Sequence, residues 1–487
     1  MTVRIRLAAS IFSGPLTTLA LLNVSNPAWA QAPAAAPPGA AAQAPAATPP
    51  TPAVPAATPP AGPESATSAA AAQTTPTPAA PAPEAIAAPP AAAAAPTPPA
   101  PAAEATPPPP PWYNNLKVSA FADAYYSVNF NFPHPQGGTN AAVGVPGGNG
   151  GRAYDFNNGF SLHWAGVDAV YTYGNVGGTV SLRFGPSTVG YNLNDIPSGA
   201  QFIKQGFATW KPLGADGKLT LDLGKYDQPF GSEVADSQLN INYTRTFLYW
   251  LGQPLHFTGL RVDYAVAPEF DIKFFLANGW NRVVANNSLG GLGIQNFGTQ
   301  IMVKPDPANP TMFMLGYMVG AEQNDVTAPV IAPPAPPVPA AYDSDAKTRL
   351  RHFVDFVADI DPIPSLRFLA NADYGTEKLA AGAANGTTTA KWYGANLVIS
   401  VKASDEFFIA PRGEIYVDDH FNFPGLANKV TFTDATLTAG YTPSPNFVLK
   451  LDLRADHADQ PIFPSKYIDT SKQSQYTATL GVVATTN

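Results

Sequence analysis

The sequence predicts an all-β protein, a transmembrane antiparallel up-and-down β-barrel of about 16 strands preceded by a disordered Ala/Pro-rich segment. Three observations predict it. Short stretches of alternating apolar and polar residues recur along the chain, the connections between them alternate long and short, and the whole follows an export leader in a 487-residue sequence without cysteine. Successive strand side chains point to opposite sides of a sheet, so each such stretch carries one greasy and one wet face.

The leader occupies residues 1–30. Arg4 and Arg6 supply its positive start, Leu7–Leu22 is its apolar core, and Ala28-Trp29-Ala30 is an A-x-A cleavage site that leaves Gln31 as the new N-terminus. Outside it no run of eighteen apolar residues occurs, which argues against a helical membrane protein. The absence of cysteine removes disulfides, thiolate metal sites and a lipid-modified N-terminal cysteine. A net charge of −8 argues against nucleic acid as a partner.

Residues 31–111 form the second segment, with 34 alanines, 26 prolines, no aromatic residue, and Glu64, Glu84 and Glu104 as the sole charges. Proline this dense blocks helix and sheet ladders alike, and too little apolar area is present to offset the entropy of ordering. The expectation is a mobile, partly polyproline II linker on the periplasmic side. It could tether the barrel to peptidoglycan or envelope proteins, enter the lumen as a plug, or have no specific role.

Residues 112–487 are the expected barrel. In Lys117–Phe130, Val118, Ala120, Ala122, Ala124, Tyr126, Val128 and Phe130 share one face, and Lys117, Ser119, Phe121, Asp123, Tyr125, Ser127 and Asn129 the other. Gly159–Tyr173 changes phase midway, which a bulge near Ala165 or Gly166 would reconcile. Gly178–Phe184, Phe202–Trp210, Leu219–Tyr226, Thr258–Val266 and Phe270–Ala277 follow, then Phe297–Lys304, Met312–Ala321, Arg349–Ile360 and Ser365–Gly375. Lys391–Val401, Phe407–Asp418, Phe432–Tyr441, Phe447–Asp456 and Gln475–Ala484 complete the set. An even count lets both ends of the barrel lie on one side of the membrane.

Aromatic residues cluster at strand ends, where amphipathic rings suit the lipid headgroups. Tyr173, Trp210, Tyr264, Phe270, Tyr441 and Phe447 flank short turns, and Phe130, Phe160, Phe184, Tyr226, Trp280, Tyr374 and Trp392 lie near long loops. Two girdles are the expectation.

The face opposite the greasy one carries both signs of charge. Arg183, Lys225, Arg261, Lys273, Arg351, Arg367, Arg412, Lys450 and Arg454 stand against Asp123, Asp222, Asp263, Asp271, Asp355, Asp373, Glu414 and Asp452. Lipid cannot hydrate such groups, so they are candidate pore-lining residues of a water-filled lumen. Individual pairs could equally be cross-strand ion pairs that stiffen the wall. The near balance leaves ion selectivity open, with the net acidity leaning it toward cations.

Catalysis finds no support. The six histidines (His134, His163, His256, His352, His420, His457) are scattered, and no H-E-x-x-H or G-x-S-x-G motif occurs. His457, near Asp456 and Asp459, could bind a metal adventitiously. No cofactor or resident metal is expected. A structural or adhesive barrel using its Ala/Pro-rich arm is the competing class, and the charged face argues against it.

Ala120–Asn131, and more so Gly224–Tyr264 (GKYDQPFGSEVADSQLNINYTRTFLYWLGQPLHFTGLRVDY), resemble the β-barrel porin-2 (OmpL-like) family of bacterial outer-membrane proteins. Asn278-Gly279-Trp280-Asn281, Arg412-Gly413-Glu414 and Leu453-Arg454-Ala455-Asp456 fit the same pattern. The resemblance implies a barrel in the outer membrane of a Gram-negative bacterium, in contact with its lipid, passing small polar solutes or ions by diffusion. By analogy with general porins, a homotrimer is a reasonable expectation. The long Asp227–Phe257 connection could then fold inward, with Glu233, Asp236 and Arg245 as constriction residues, or cap the mouth from outside.

Overall fold

The computed structural model describes residues 111–133, 158–285, 293–324, 326–327, 341–380, 387–423, 426–467 and 471–486. The expected leader, the Ala/Pro segment up to residue 110, and parts of several long connections lie outside the described residues.

Sixteen antiparallel strands close into one barrel. They are β1 Leu116–Asn129, β2 Gly159–Tyr173, β3 Val176–Phe184, β4 Ile203–Trp210, β5 Leu219–Asp227, β6 His256–Ala267, β7 Phe270–Ala277 and β8 Asn296–Val303. The second half comprises β9 Met312–Ala321, β10 Leu350–Ile363, β11 Leu366–Lys378, β12 Thr389–Lys402, β13 Phe407–Asp419, β14 Val430–Ser444, β15 Phe447–Ala458 and β16 Ser474–Thr485. Each strand pairs with its sequence neighbours, and β1 pairs with β16 to close the ring. Every stretch that the sequence marked as a strand is one, because a lipid-facing wall enforces strict alternation.

The outer wall is apolar. Val118, Val180, Leu223, Leu315, Phe356, Leu397, Leu437 and Leu453 are exposed, while their inward neighbours are mostly buried. Seven connections at one end are short, and four of these are two-residue turns: Gly174-Asn175, Pro268-Glu269, Pro364-Ser365 and Pro445-Asn446. The eight connections at the other end are longer. Short ladders, Val326–Thr327 with Ala341–Tyr342 and Phe463–Pro464 with Ser471–Lys472, stiffen two of them.

Two expectations need correction. The bulge in β2 falls at His163, not at Ala165 or Gly166, because Asp123 lies opposite Trp164 while Ala124 lies opposite Leu162. There His163 turns inward and sets Nδ1 3.0 Å from the Asp123 carboxylate. The second correction concerns the rings near the long loops. Phe130, Phe160, Phe184 and Tyr374 are exposed, but Tyr226, Trp280 and Trp392 are at most 2% exposed. These three serve an interior core instead of a girdle, for a reason that lies in the β5–β6 connection.

Candidate functional site

Residues 228–255, between β5 and β6, enter the barrel and cross its lumen. Their apolar residues make this a folding problem like that of a soluble core. Phe230, Phe247, Leu248, Tyr249, Trp250, Leu251 and Leu255 are each at most 3% exposed. They pack with inward rings of the wall: Phe230 sits edge-on to Phe275 and Phe353, and Phe247 lies 4.7 Å from Phe432. Trp392 stacks on Phe421 at 3.7 Å, and its indole N–H donates to the Gly252 carbonyl at 2.8 Å.

A buried loop must also satisfy its backbone. The charged wall does this. On β15, Asp452 accepts the Thr244 N–H and hydroxyl, both at 2.8 Å, and the Tyr243 N–H at 3.3 Å. Lys450 donates to the carbonyls of Ser237 and Asn240, and Arg454 to that of Arg245. Glu414 on β13 accepts the N–H groups of Phe247 and Leu248, at the start of the helical turn Leu248–Gly252. On the opposite wall Asp355 accepts the Gly231 N–H at 3.1 Å, and Gln300 donates to the Pro229 carbonyl. Asp123 on β1 accepts the Tyr243 hydroxyl at 2.8 Å. Gln253 donates to Asn371 and Asp373, both at 2.7 Å.

The three expected constriction residues are all buried in this network. Asp236 receives two bonds from Arg183, at 2.9 and 3.0 Å, with Lys204 at 3.2 Å. Burial alone would raise the Asp236 carboxyl, but the Arg183 guanidinium and the Lys204 ammonium overcome it and hold it well below the usual carboxylate range. Glu233 pairs with Arg412 at 3.2 Å and accepts the Thr246 N–H at 3.0 Å. Arg245 ties the loop to itself, donating to the carbonyls of Val234, Ala235 and Tyr243. Ser232, Gln238, Leu239 and Ile241 are the loop residues that keep appreciable exposure.

The chain from residue 115 to residue 485 matches a family described as "Putative beta-barrel porin-2, OmpL-like". It belongs to that family. Solved structures with a similar barrel include the outer-membrane channel DcaP of Acinetobacter baumannii, at 12% identity and a TM-score of 0.47, covering 76% of this chain and 96% of that one. The anion-selective porin from Comamonas acidovorans is similar at 10% identity and a TM-score of 0.44, over 76% of this chain and 99% of that one. Pseudomonas putida OprB is similar at 12% identity and a TM-score of 0.45, over 76% and 94% respectively. No curated protein matches the chain in sequence. Membership makes this porin-2 barrel a porin-like outer-membrane protein of a Gram-negative bacterium.

Family resemblance and geometry meet at Asn278–Asn281. Gly279 adopts φ +133°, Trp280 enters the core, and Asn281 Oδ1 accepts the N–H groups of Leu255 and His256 where the inserted loop rejoins the wall. Asn278–Asn281 is thus the clasp of the loop.

The other pore-lining candidates fall into three groups. Arg261 with Asp222 (2.7 Å), Lys273 with Asp263 (2.9 Å) and Asp271 with Lys304 (3.6 Å) form a charged ladder toward the short-turn end. Arg367, 41% exposed at that same end, pairs with Asp359 at 2.6 Å. Arg351 pairs with Glu377 at 2.9 Å and lies between the Trp280 and Phe421 rings. Lys225 departs from the expectation most: it is buried against the β3–β4 connection, donating to Asn192 at 2.6 Å and Asp195 at 2.7 Å.

Sequence reasoning missed Lys204, Asp195, Asp434 and Asp456. Asp434 links Arg412 (2.7 Å) to Arg454 (3.4 Å), and Asp456 takes the Arg454 Nε at 2.6 Å. Both acids sit in phase with inward neighbours, so alternation could have found them. Lys204 could not be found that way, because it occupies a bulge opposite Ser181 and Leu182. His457 and Asp456 do not converge: the His457 Nδ1 meets Ser474 Oγ at 2.9 Å while Asp456 faces inward. Among the described residues no cluster of three or more metal-binding side chains occurs.

Proposed function

We propose that this barrel is an outer-membrane porin that lets small hydrophilic solutes or ions diffuse passively, and that the inserted loop controls the passage. The supporting observation is the loop's seat. At its level Asp123, Arg183, Asp355, Arg412, Lys450 and Asp452 are each at most 7% exposed. A passage therefore needs the loop to shift, and its anchors are ion pairs and hydrogen bonds that water can replace one at a time.

Single-channel recording of the mature protein in a planar bilayer under a KCl gradient tests this. Constant-sized current steps, rare or voltage-triggered, are the expected result. A folded barrel that stays silent at every voltage would refute it. The same burial favours a second reading, a filled structural or adhesive barrel whose Ala/Pro-rich arm contacts peptidoglycan or envelope proteins, and a silent barrel would support it. Crosslinking in native membranes would test the homotrimer together with the arm's partners.

A further inference from the structure

Below the inserted loop, toward the short-turn end, a chamber of about 580 Å³ lies against β2–β9. Its volume suits a small ligand. Pro229, the second residue of the loop, forms part of its lining, as do Arg261 and Gln300.

The charge of the chamber does not follow the acidity of the chain. Five basic side chains line it (Lys211, Lys218, Arg261, Lys273, Lys304) and three acidic ones (Asp222, Asp263, Asp271). Each acid already has its base: Asp222 with Arg261, Asp263 with Lys273, and Asp271 with Lys304. Lys211 and Lys218 donate instead to the backbone carbonyls of Ala215 (2.9 Å) and Val266 (2.8 Å), so no carboxylate of the chamber neutralises them. Low-dielectric walls concentrate such an excess and draw in the opposite charge.

The remaining lining is mixed, with polar residues such as Thr209, Thr220 and Gln300 beside an apolar portion. Tyr171, Phe207, Met302 and Met312 contribute to it, and the Phe207 ring also lies 5.4 Å from the Arg261 guanidinium. Unbranched methionine side chains adapt to ligands of varied shape. A fully hydrated inorganic ion would leave these groups unused.

We propose that the chamber binds small organic anions with an apolar body. The carboxylate is drawn to Lys211 and Lys218, the two bases without a carboxylate partner, and the body lies against Phe207, Met302 and Met312. This deepens the porin reading by naming a solute class, and it reverses the cation preference that net charge suggests.

The test measures binding without flux, so it stands apart from the conductance test. The full chain, folded in lipid nanodiscs, is titrated with benzoate, benzyl alcohol and benzylammonium under saturation-transfer NMR. Benzoate should bind saturably and at least about fivefold tighter than the other two, the gain expected from about 1 kcal/mol of a partly exposed ion pair. The double variant Lys211→Gln/Lys218→Gln, whose side chains hold no ion pair, should remove that margin and flatten the salt dependence of benzoate binding. Equal affinity for benzoate and benzyl alcohol, or a margin that survives the double substitution, would overturn the proposal.

Discussion

Asp452 on β15 and Thr244 in the inserted loop are joined twice, since the Thr244 N–H and hydroxyl both reach the same carboxylate oxygen at 2.8 Å. Thr438 donates to the other oxygen at 2.7 Å. A wall carboxylate thus stands in for the water that a surface loop would have. Asp452→Ala should strand these donors at a cost of about 3 kcal/mol, given 1–3 kcal/mol for each buried unmet group. The heat-modifiable band on a gel should then unfold at a clearly lower temperature. An unchanged transition would show that the loop seats without this anchor.

Acid should spare the Asp236 anchor. Its folded pKa is depressed, so its contribution to stability is present above the ordinary aspartate value of about 3.9 and is lost as pH falls through the lower folded value. The stability margin of the wild type over Asp236→Asn, measured by denaturation with Trp250 and Trp392 as fluorescence reporters, should therefore hold steady from pH 7 to about pH 4 and shrink below it. A variant as stable as the wild type at pH 7, or a margin that fades near pH 5, would contradict the assignment.

Removing Ser232–Asn242 takes out Glu233, Asp236 and the Ile241 contact with the inner aliphatic cluster of Met302, Met314, Val357 and Leu369. Single-channel conductance should rise several-fold. If it does not, the loop is not what limits passage.

Gly375 and Trp392 share one space on adjacent strands. A Cβ at position 375 would lie 1.9 Å from the indole, which is closer than atoms can approach. Gly375→Ala should push Trp392 off Phe421 and off the Gly252 carbonyl, costing about 1–3 kcal/mol as overpacking does. Quenching of tryptophan fluorescence by acrylamide should increase. Unaltered quenching would mean that the ring has another resting place.

The two faces of β14 should respond oppositely to charge. Leu437 points outward and is 47% exposed, whereas Thr438 is fully buried inside. Leu437→Arg should lower folding yield into lipid vesicles, at about 2–4 kcal/mol for a lipid-facing arginine near the midplane. A yield equal to the wild type would place this face out of the bilayer.

The barrel was legible and the loop was not, for physical reasons. Lipid accepts no polar side chain, so residues such as Val118, Leu437 and Leu453 reveal their side of the wall by kind alone. The interior has no such rule. Arg183 could have faced water, a neighbouring strand or Asp236, and all three require the same residue. Alternation also fails wherever a bulge inserts a residue, which is why the β2 bulge was misplaced and Lys204 overlooked. Tyr226, Trp280 and Trp392 read as headgroup anchors because their position near strand ends fits two environments. The partner that decides between them, residues 228–255, is distant from Trp392 in sequence. Lys225 read as pore-lining from strand phase, yet the β3–β4 connection covers it.

The seam between β1 and β16 closes around contents that are already part of the wall's bonding. Tyr243, for example, spans from Asp123 on β1 to a ring contact at Gly481 on β16, where a Cβ would lie 2.1 Å from it. The seam is therefore fastened twice, once by its own ladder and once by a loop residue that touches both of its strands. A barrel that lost residues 228–255 would keep the ladder but lose the brace across its last joint.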